Sequence, residues 1–116
     1  MRRLDPRHVP YLPVEGRLYW ARTTIFQPPD KHAERPVVVV RVPGTTLGRI
    51  SVVSRTSDTS RPGVFHKADP GLTLNLDGVF DRLTSTEGRY WTPFNIRPCG
   101  DLSPELFEEI ILRWYT

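Results

Sequence analysis

The sequence predicts a mostly β domain, a small antiparallel barrel or half-barrel with one C-terminal α-helix. Short segments rich in β-branched and aromatic residues recur between turn residues, and a helical period of apolar residues occurs only at the end of the chain. Helices do not alternate with strands, which excludes a doubly wound fold. The 116 residues fit one domain, with a Pro-rich N-terminal arm at residues 1–15 and the barrel at residues 16–116.

The first half of the chain contains the clearest strand signals. Residues 18–21 are aromatic and apolar and predict a first strand. Residues 36–42 contain four consecutive valines, which predict a strand buried on both faces at its centre. Turn residues at 43–48 connect this strand to a hairpin partner at 50–54, and the polar, Pro-rich segment 27–34 predicts a loop.

The second half predicts a meander of short strands. Residues 72–76 alternate leucine with polar side chains, the period of a half-buried strand. Residues 79–80 and 89–92 predict further extended segments. Pro93 and Pro98 limit how much of this region can lie in the centre of a sheet.

The C-terminal helix has a full set of start signals. Ser103 is a favourable N-cap, Pro104 suits the first helical position, and Glu105 complements the positive end of the helix dipole. The apolar residues that follow share one face: Leu106, Phe107, Ile110, Ile111 and Trp114. We expect this face to cover one side or edge of the sheet.

Basic side chains are concentrated before the final helix and are almost all arginine. Arginine accounts for 14 of the 16 basic residues, and residues 1–100 carry a net charge of +6 against −3 for residues 101–116. This asymmetry predicts a surface that binds a polyanion, with the acidic helix turned away from it. An ordinary solvated surface with arginine-favouring codon usage is the alternative explanation.

The sequence also excludes several classes of protein. No apolar run approaches the roughly 18 residues of a membrane span, and the N-terminus lacks the apolar segment of a secretory signal, so we expect a cytoplasmic protein that does not enter a membrane. The single cysteine, Cys99, excludes an internal disulfide framework. The three histidines lack metal-ligand spacing, so we expect no metal site, and no glycine-rich nucleotide motif is present.

Two loop–strand junctions carry chemistry suited to a phosphodiester. Arg35 directly precedes the valine-rich strand, and Arg55, Thr56, Ser57 and Asp58 end and follow its hairpin partner. In an antiparallel hairpin the start of one strand lies beside the end of the next, so these residues should meet at one rim. A guanidinium beside hydroxyls and a carboxylate can hold a phosphodiester, because arginine offers a planar pair of donors.

The order of these motifs resembles the MazF/PemK/Kid family of toxin endoribonucleases. Residues 16–20 (GRLYW) are similar to the family's opening strand, and residues 35–40 (RPVVVV) are similar to its Arg-Pro strand. Residues 50–57 (ISVVSRTS) resemble the strand that ends in a Thr-Ser pair, and residues 102–106 (LSPEL) resemble the closing helix.

The resemblance implies an SH3-like barrel, a homodimer, cleavage of single-stranded RNA without metal or cofactor, and a cognate antitoxin that blocks the RNA groove. It implies that Arg35 stabilises the charge of the phosphorane and that Thr56 hydrogen-bonds a phosphate oxygen. Asp58 and His66 are the candidate general bases, and the intrinsic pKa of histidine is the better matched. Further residues predicted to bind RNA are Arg55, Ser57 and Lys31.

Two other functions stay open. A relative of the CcdB branch would poison a protein target such as DNA gyrase without catalysis, and Trp114 is a faint point of similarity to that branch. In an inert SH3-like binding module, Arg35 would only pair with Glu34 or Asp58, and Thr56 would only begin an ST-turn. On the first strand, aromatic side chains could stack an unpaired base or belong to the core, the commoner role: Tyr19 and Trp20.

Overall fold

Six antiparallel strands and one α-helix form the part of the chain that the computed structural model describes, residues 11–27, 32–44 and 48–115. The strands curl into a half-barrel in the order β4-β5-β3-β2-β1-β6. The predicted fold class is therefore confirmed. The elements are β1 (Arg17–Arg22), β2 (Glu34–Arg41), β3 (Arg49–Thr56), β4 (Val64–His66), β5 (Gly78–Glu87), β6 (Ile96–Asp101) and α1 (Pro104–Tyr115).

The valine run of β2 lies in the middle of the sheet, between β1 and β3. Val38 and Val40 pack into a first core cluster, and Val37 and Val39 pack into a second on the opposite face. Strand side chains alternate between faces, so consecutive valines supply both clusters. Burying each valine contributes about 1.5–3 kcal/mol. The predicted burial on both faces is confirmed.

Helix α1 covers the first core cluster, as its apolar face predicts. Ser103 Oγ accepts a hydrogen bond from the backbone N of Leu106 at 3.2 Å, which is the expected N-cap. Ile110 is fully buried in the cluster, and Trp114 is half-buried against it. Trp114, the point of similarity to the CcdB branch, therefore has a packing role in this domain.

The predicted strand at residues 72–76 is wrong. Pro70–Leu72 forms a 3₁₀ turn, and Thr73 then adopts a left-handed backbone with φ of 61°. The proline and glycine that begin this turn do not favour a strand. Leu74 is buried and forms only an isolated bridge with Asp69, whereas Leu76 is exposed.

The predicted strand at residues 89–92 is also wrong. Gly88–Tyr90 is a 3₁₀ turn, and Trp91 is fully buried in the second core cluster. The last strand forms at Ile96–Asp101 instead, where prolines argued against central pairing. Pro98 is tolerated because, among the strands that the structure describes, β6 is an edge strand that pairs only with β1.

The described end of the predicted arm is hydrogen-bonded to the domain. The backbone N of Tyr11 donates to Trp91 O at 2.7 Å, and the backbone N of Val42 donates to Glu15 Oε1 at 3.3 Å. Residues 1–10 of the arm lie outside the described residues. In the described part of the chain, no helix is long and apolar enough to cross a membrane.

Candidate functional site

An open groove of about 530 Å³ lies where β2 begins and β3 ends. The register of this hairpin sets Val37 opposite Ser54. Arg35 precedes this pair by two residues on β2 and Thr56 follows it by two residues on β3, and both line the groove. Five predicted site residues line this one groove: Arg35, Arg55, Thr56, Ser57 and Asp58.

Arg35 lies at the entrance to the central strand, opposite Ala21 of β1. Its side chain is half-buried and lines the groove. It also lines a small cavity beside Thr23, Ser54 and Arg82. The guanidinium is therefore held by a strand rather than a loop, at the boundary between the groove and the neighbouring sheet surface.

Thr56 begins a tight turn, which was the alternative to a catalytic role. Its Oγ1 accepts a hydrogen bond from the backbone N of Asp58 at 3.1 Å, the bond of an ST-turn. A hydroxyl has two acceptor lone pairs and one donor proton. The turn uses one lone pair, so it orients the hydroxyl and still leaves its proton to be donated. The turn and the predicted contact with a phosphate oxygen are therefore compatible.

Asp58 is an exposed carboxylate at the rim. Its Oδ1 accepts hydrogen bonds from the backbone N of Ser60 at 3.1 Å and from Ser60 Oγ at 2.5 Å. These bonds, from the hydroxyl first and then the backbone, lower the pKa of Asp58. The carboxylate is consequently ionised at neutral pH and fixed by its own loop.

The opposite wall of the groove comes from β1 and the loop after the Pro70–Leu72 turn. The Nε1 of half-buried Trp20 donates to Thr73 Oγ1 at 3.2 Å. A β-branched residue seldom adopts the left-handed backbone of Thr73, and such strain costs on the order of 1–3 kcal/mol. Asn75 and Leu76 continue this wall.

Sequence reasoning missed the loop residues of this wall because it placed them in a strand. The Pro-Gly pair before Leu72 was the available signal for a turn, although it does not indicate that Thr73 and Asn75 face a groove. From the sequence, Trp20 was predicted either to stack a base or to belong to the core. The structure places it between the first core cluster and the groove.

Arg55 is 4% exposed and directs its hydrogen bonds inward. Its Nε donates to His66 Nδ1 at 3.1 Å, and one Nη donates to His66 O at 3.1 Å and to Leu76 O at 2.7 Å. Burial lowers the pKa of Arg55, against the opposing charges of Asp77 and Asp69. The side chain joins β3 to β4 and to the groove wall, and its predicted contact with RNA stays a prediction.

His66 lies behind Arg55 and is not among the described residues that line the groove. Its ring stacks on Phe80 with centroids 5.6 Å apart, and its Nε2 lies 3.5 Å from Asp69 Oδ2. Burial and then the charge of Arg55 lower the pKa of His66. The neutral ring accepts at Nδ1, so its proton is on Nε2. The nitrogen lone pair that a base would use is engaged by Arg55.

The remaining predicted site residue, Lys31, lies outside the described residues. Among the residues that the structure describes, no group of three or more His, Cys, Asp or Glu side chains is placed to hold a metal ion. The chain matches no protein-family model and no curated protein. The resemblance to the MazF/PemK/Kid family therefore rests on the sequence motifs and stays a prediction.

Proposed function

We propose that this protein is an endoribonuclease that cleaves single-stranded RNA in the groove. The observation that carries the proposal is that Arg35, near the start of β2, and Thr56, at the end of β3, line the same groove. A guanidinium and a hydroxyl are complementary to the non-bridging oxygens of a phosphodiester. Both are held by strands, so they are oriented before the substrate arrives.

The proposed reaction is an internal transfer at phosphorus. The 2′-hydroxyl loses its proton to a base, the 2′-oxygen forms a bond to phosphorus, and the bond from phosphorus to the 5′-oxygen breaks. The leaving 5′-oxygen takes a proton from water in the open groove. The products are a 2′,3′-cyclic phosphate and a 5′-hydroxyl. Arg35 stabilises the additional negative charge on the phosphorane, and Thr56 donates to a second phosphate oxygen.

Asp58 is the proposed base, in preference to His66. Asp58 lines the groove and is ionised, whereas His66 is buried and its acceptor nitrogen receives the hydrogen bond from Arg55. The lowered pKa of Asp58 makes it a weak base. We therefore assign the larger part of the rate enhancement to electrostatic stabilisation by Arg35.

The opposite wall favours a single-stranded substrate. Half-buried Trp20 supplies an aromatic side chain to the groove lining, and Leu76 adds an exposed apolar side chain. Unpaired bases stack on aromatic side chains, whereas the bases of a duplex are stacked on one another. The proposal therefore specifies RNA with an unpaired base beside the scissile phosphate.

Three further parts of the proposal are implied by the family resemblance. They are the independence from metal and cofactor, the assembly into a homodimer, and the neutralisation by a cognate antitoxin. Of these, metal independence is the easiest to examine, because the assay can contain excess EDTA.

The test is incubation of purified protein with a defined single-stranded RNA in excess EDTA, followed by mass spectrometry of the product ends. We expect a 2′,3′-cyclic phosphate and a 5′-hydroxyl, and loss of both products with Arg35→Ala. Thermal unfolding of both proteins establishes that they are folded. Intact RNA after incubation with folded, antitoxin-free protein would contradict the proposal.

A further inference from the structure

A second cleft, of about 430 Å³, opens at the other end of β3 from the groove. Its lining includes Arg49 at the start of β3, Glu87 at the end of β5, and Gln27 from the segment after β1. The seven residue-to-residue steps from Arg49 to Thr56 span about 23 Å of extended strand. The cleft is therefore separate from the groove.

Two exposed aromatic rings lie in this cleft, and each carries an arginine on its face. Tyr90 is 38% exposed and Phe94 is 45% exposed. The guanidinium of Arg89 lies 4.7 Å from the centre of the Tyr90 ring, and that of Arg22 lies 4.5 Å from the centre of the Phe94 ring. Unpaired bases stack both on aromatic rings and on guanidinium planes, so each pair is a platform for one base.

Arginine outnumbers carboxylate around the cleft. Arg49 and Glu87 line it and lie opposite each other in the β3–β5 ladder, and Arg89 pairs with the same carboxylate. Arg22 lies beside the cleft, on the Phe94 ring. Arg49 is fixed by hydrogen bonds to Ser85 Oγ at 3.1 Å from Nε and 3.0 Å from one Nη. Because one carboxylate serves two guanidinium groups, positive charge is left for a phosphate ligand.

A small cavity shares Arg35 with the groove and is also lined by Arg82 and Thr84. Gln27, which lines the cleft, is bonded to the same strand: its backbone N donates to Ser85 O at 3.1 Å, and Thr84 Oγ1 donates to Gln27 O at 3.1 Å. Thr84 and Gln27 thus link the small cavity beside the groove to the cleft.

We propose that the cleft is a second binding subsite for the same single-stranded RNA, with unpaired bases stacked at Tyr90 and Phe94 and phosphates held by Arg22 and Arg49. The inference rests on the proposed function, because the groove would hold the cleaved end of that RNA. A second copy of the chain is a poorer occupant. A two-fold interface sets a patch against itself, and here it would bring the same arginines together.

The test compares binding of 2′-O-methyl RNAs of about 4 and about 12 nucleotides, a range that spans the usual size of single-strand sites. Such RNAs cannot be cleaved, because the attacking hydroxyl is capped. Fluorescence anisotropy gives the dissociation constants. We expect Tyr90→Leu and Phe94→Leu, which keep bulk but remove the ring, each to weaken binding of the longer RNA roughly 5- to 100-fold. The shorter RNA should bind within about twofold of wild type.

Matched variants make the result specific to the cleft. Phe65→Leu removes an exposed aromatic ring from β4 and should leave both affinities unchanged. Tyr90→Phe should retain binding, since the ring is preserved. Arg49→Gln should reduce the salt dependence of binding the longer RNA by about 0.7 in log–log slope, the value for one phosphate on a single strand.

Equal binding of the longer RNA by wild type, Tyr90→Leu and Phe94→Leu would overturn the proposal. So would a change of oligomeric state in these variants, measured by sedimentation, without a change in RNA affinity. If the longer RNA binds more tightly than the shorter one but unmodified RNA is not cut by the wild-type protein, the proposed nuclease is rejected and the subsite is supported. RNA that is cut, with binding unaffected by the cleft variants, would reject the subsite alone.

Discussion

Arg55 Nε donates to His66 Nδ1 at 3.1 Å, in a buried pair that joins β3 to β4 behind the groove. The same guanidinium also donates to the backbone O of Leu76 at 2.7 Å, in the loop that forms the opposite wall. A single side chain thus holds two parts of the groove in place. Arg55 is a positioning residue for the site. Its removal should lower the stability of the fold, and any effect on cleavage should follow from that.

Arg55→Leu should lower the free energy of unfolding by about 2–4 kcal/mol. The substitution leaves two buried acceptors of His66 and the part-buried carbonyl of Leu76 without their donor, and each unpaired buried group costs about 1–3 kcal/mol. Urea unfolding measures the difference. Arg61→Leu is the matched control, because Arg61 is mostly exposed and only 3.5 Å from Asp81. Its loss should stay below about 1 kcal/mol, and equal losses in the two variants would contradict the role of Arg55.

Stability should decline on acidification from about pH 7 because of His66. Burial and the charge of Arg55 lower the pKa of His66, and Asp69 opposes them. The unfolded chain therefore binds a proton more readily as the pH falls through the ordinary histidine pKa of about 6.5. Stability is full above that pH and falls below it, with a slope of at most about 1.4 kcal/mol per pH unit for one proton.

Thermal unfolding between pH 5 and pH 7.5 detects this dependence on His66, over a range of about one unit either side of the ordinary pKa. His66→Asn keeps an acceptor for Arg55 but cannot titrate, so its profile should be flatter than that of wild type. The pKa of Asp58 and that of Asp101 are lowered from an already acidic value, so these groups act below this range. Parallel profiles for the two proteins would show that His66 is not the titrating group.

Gly78→Ala should destabilise the protein by about 1–3 kcal/mol. A Cβ at Gly78 would lie 2.5 Å from one Nη of Arg55 and 2.6 Å from the backbone O of Thr56. The new methyl group would displace the guanidinium or the strand end beside the groove. Gly44→Ala adds the same group where no atom lies within 4 Å, and chemical denaturation should show little change. A neutral Gly78→Ala would argue against tight packing around Arg55.

Thr56→Val should reduce the cleavage rate about 10²-fold or more, the effect of removing one donor to the transition-state oxyanion. Valine preserves the branched shape but cannot donate to a phosphate oxygen. Thr56→Ser retains the hydroxyl and should retain most of the activity. Single-turnover rates at saturating RNA separate this effect from substrate binding. Similar rates for the valine and serine variants would remove the hydroxyl from the mechanism.

The central part of the fold could be predicted because its signals are local. The valines of β2 and the cap at Ser103 each determine an element by their own chemistry. The loop at Thr73 could not be predicted in this way. Its alternating leucines imitate a strand, and its left-handed backbone is stabilised by tertiary contacts, including the hydrogen bond from Trp20. Pro98 correctly indicated a strand outside the centre of the sheet, although only the sheet order shows that β6 is an edge.

The candidate site was predictable to the extent that hairpin register determines it. Arg35 and Thr56 could be placed together from the order of two strands and one turn. The register does not predict that Arg55 is buried whereas Asp58 is exposed, although both residues were expected at the same rim. Arg55 turns inward because His66 and Leu76, more distant in the chain, supply its acceptors. Burial of this kind depends on contacts that no local pattern encodes.

The most direct test of the account is the single-turnover rate of RNA cleavage in EDTA for wild type, Arg35→Ala and Arg113→Ala. Arg113 lies on α1, so its variant makes the same change of charge away from the groove. We predict cleavage by wild type and Arg113→Ala at similar rates, and a reduction of at least about 10²-fold for Arg35→Ala. Equal rates for Arg35→Ala and wild type, or no cleavage by the folded wild-type protein, would contradict the account.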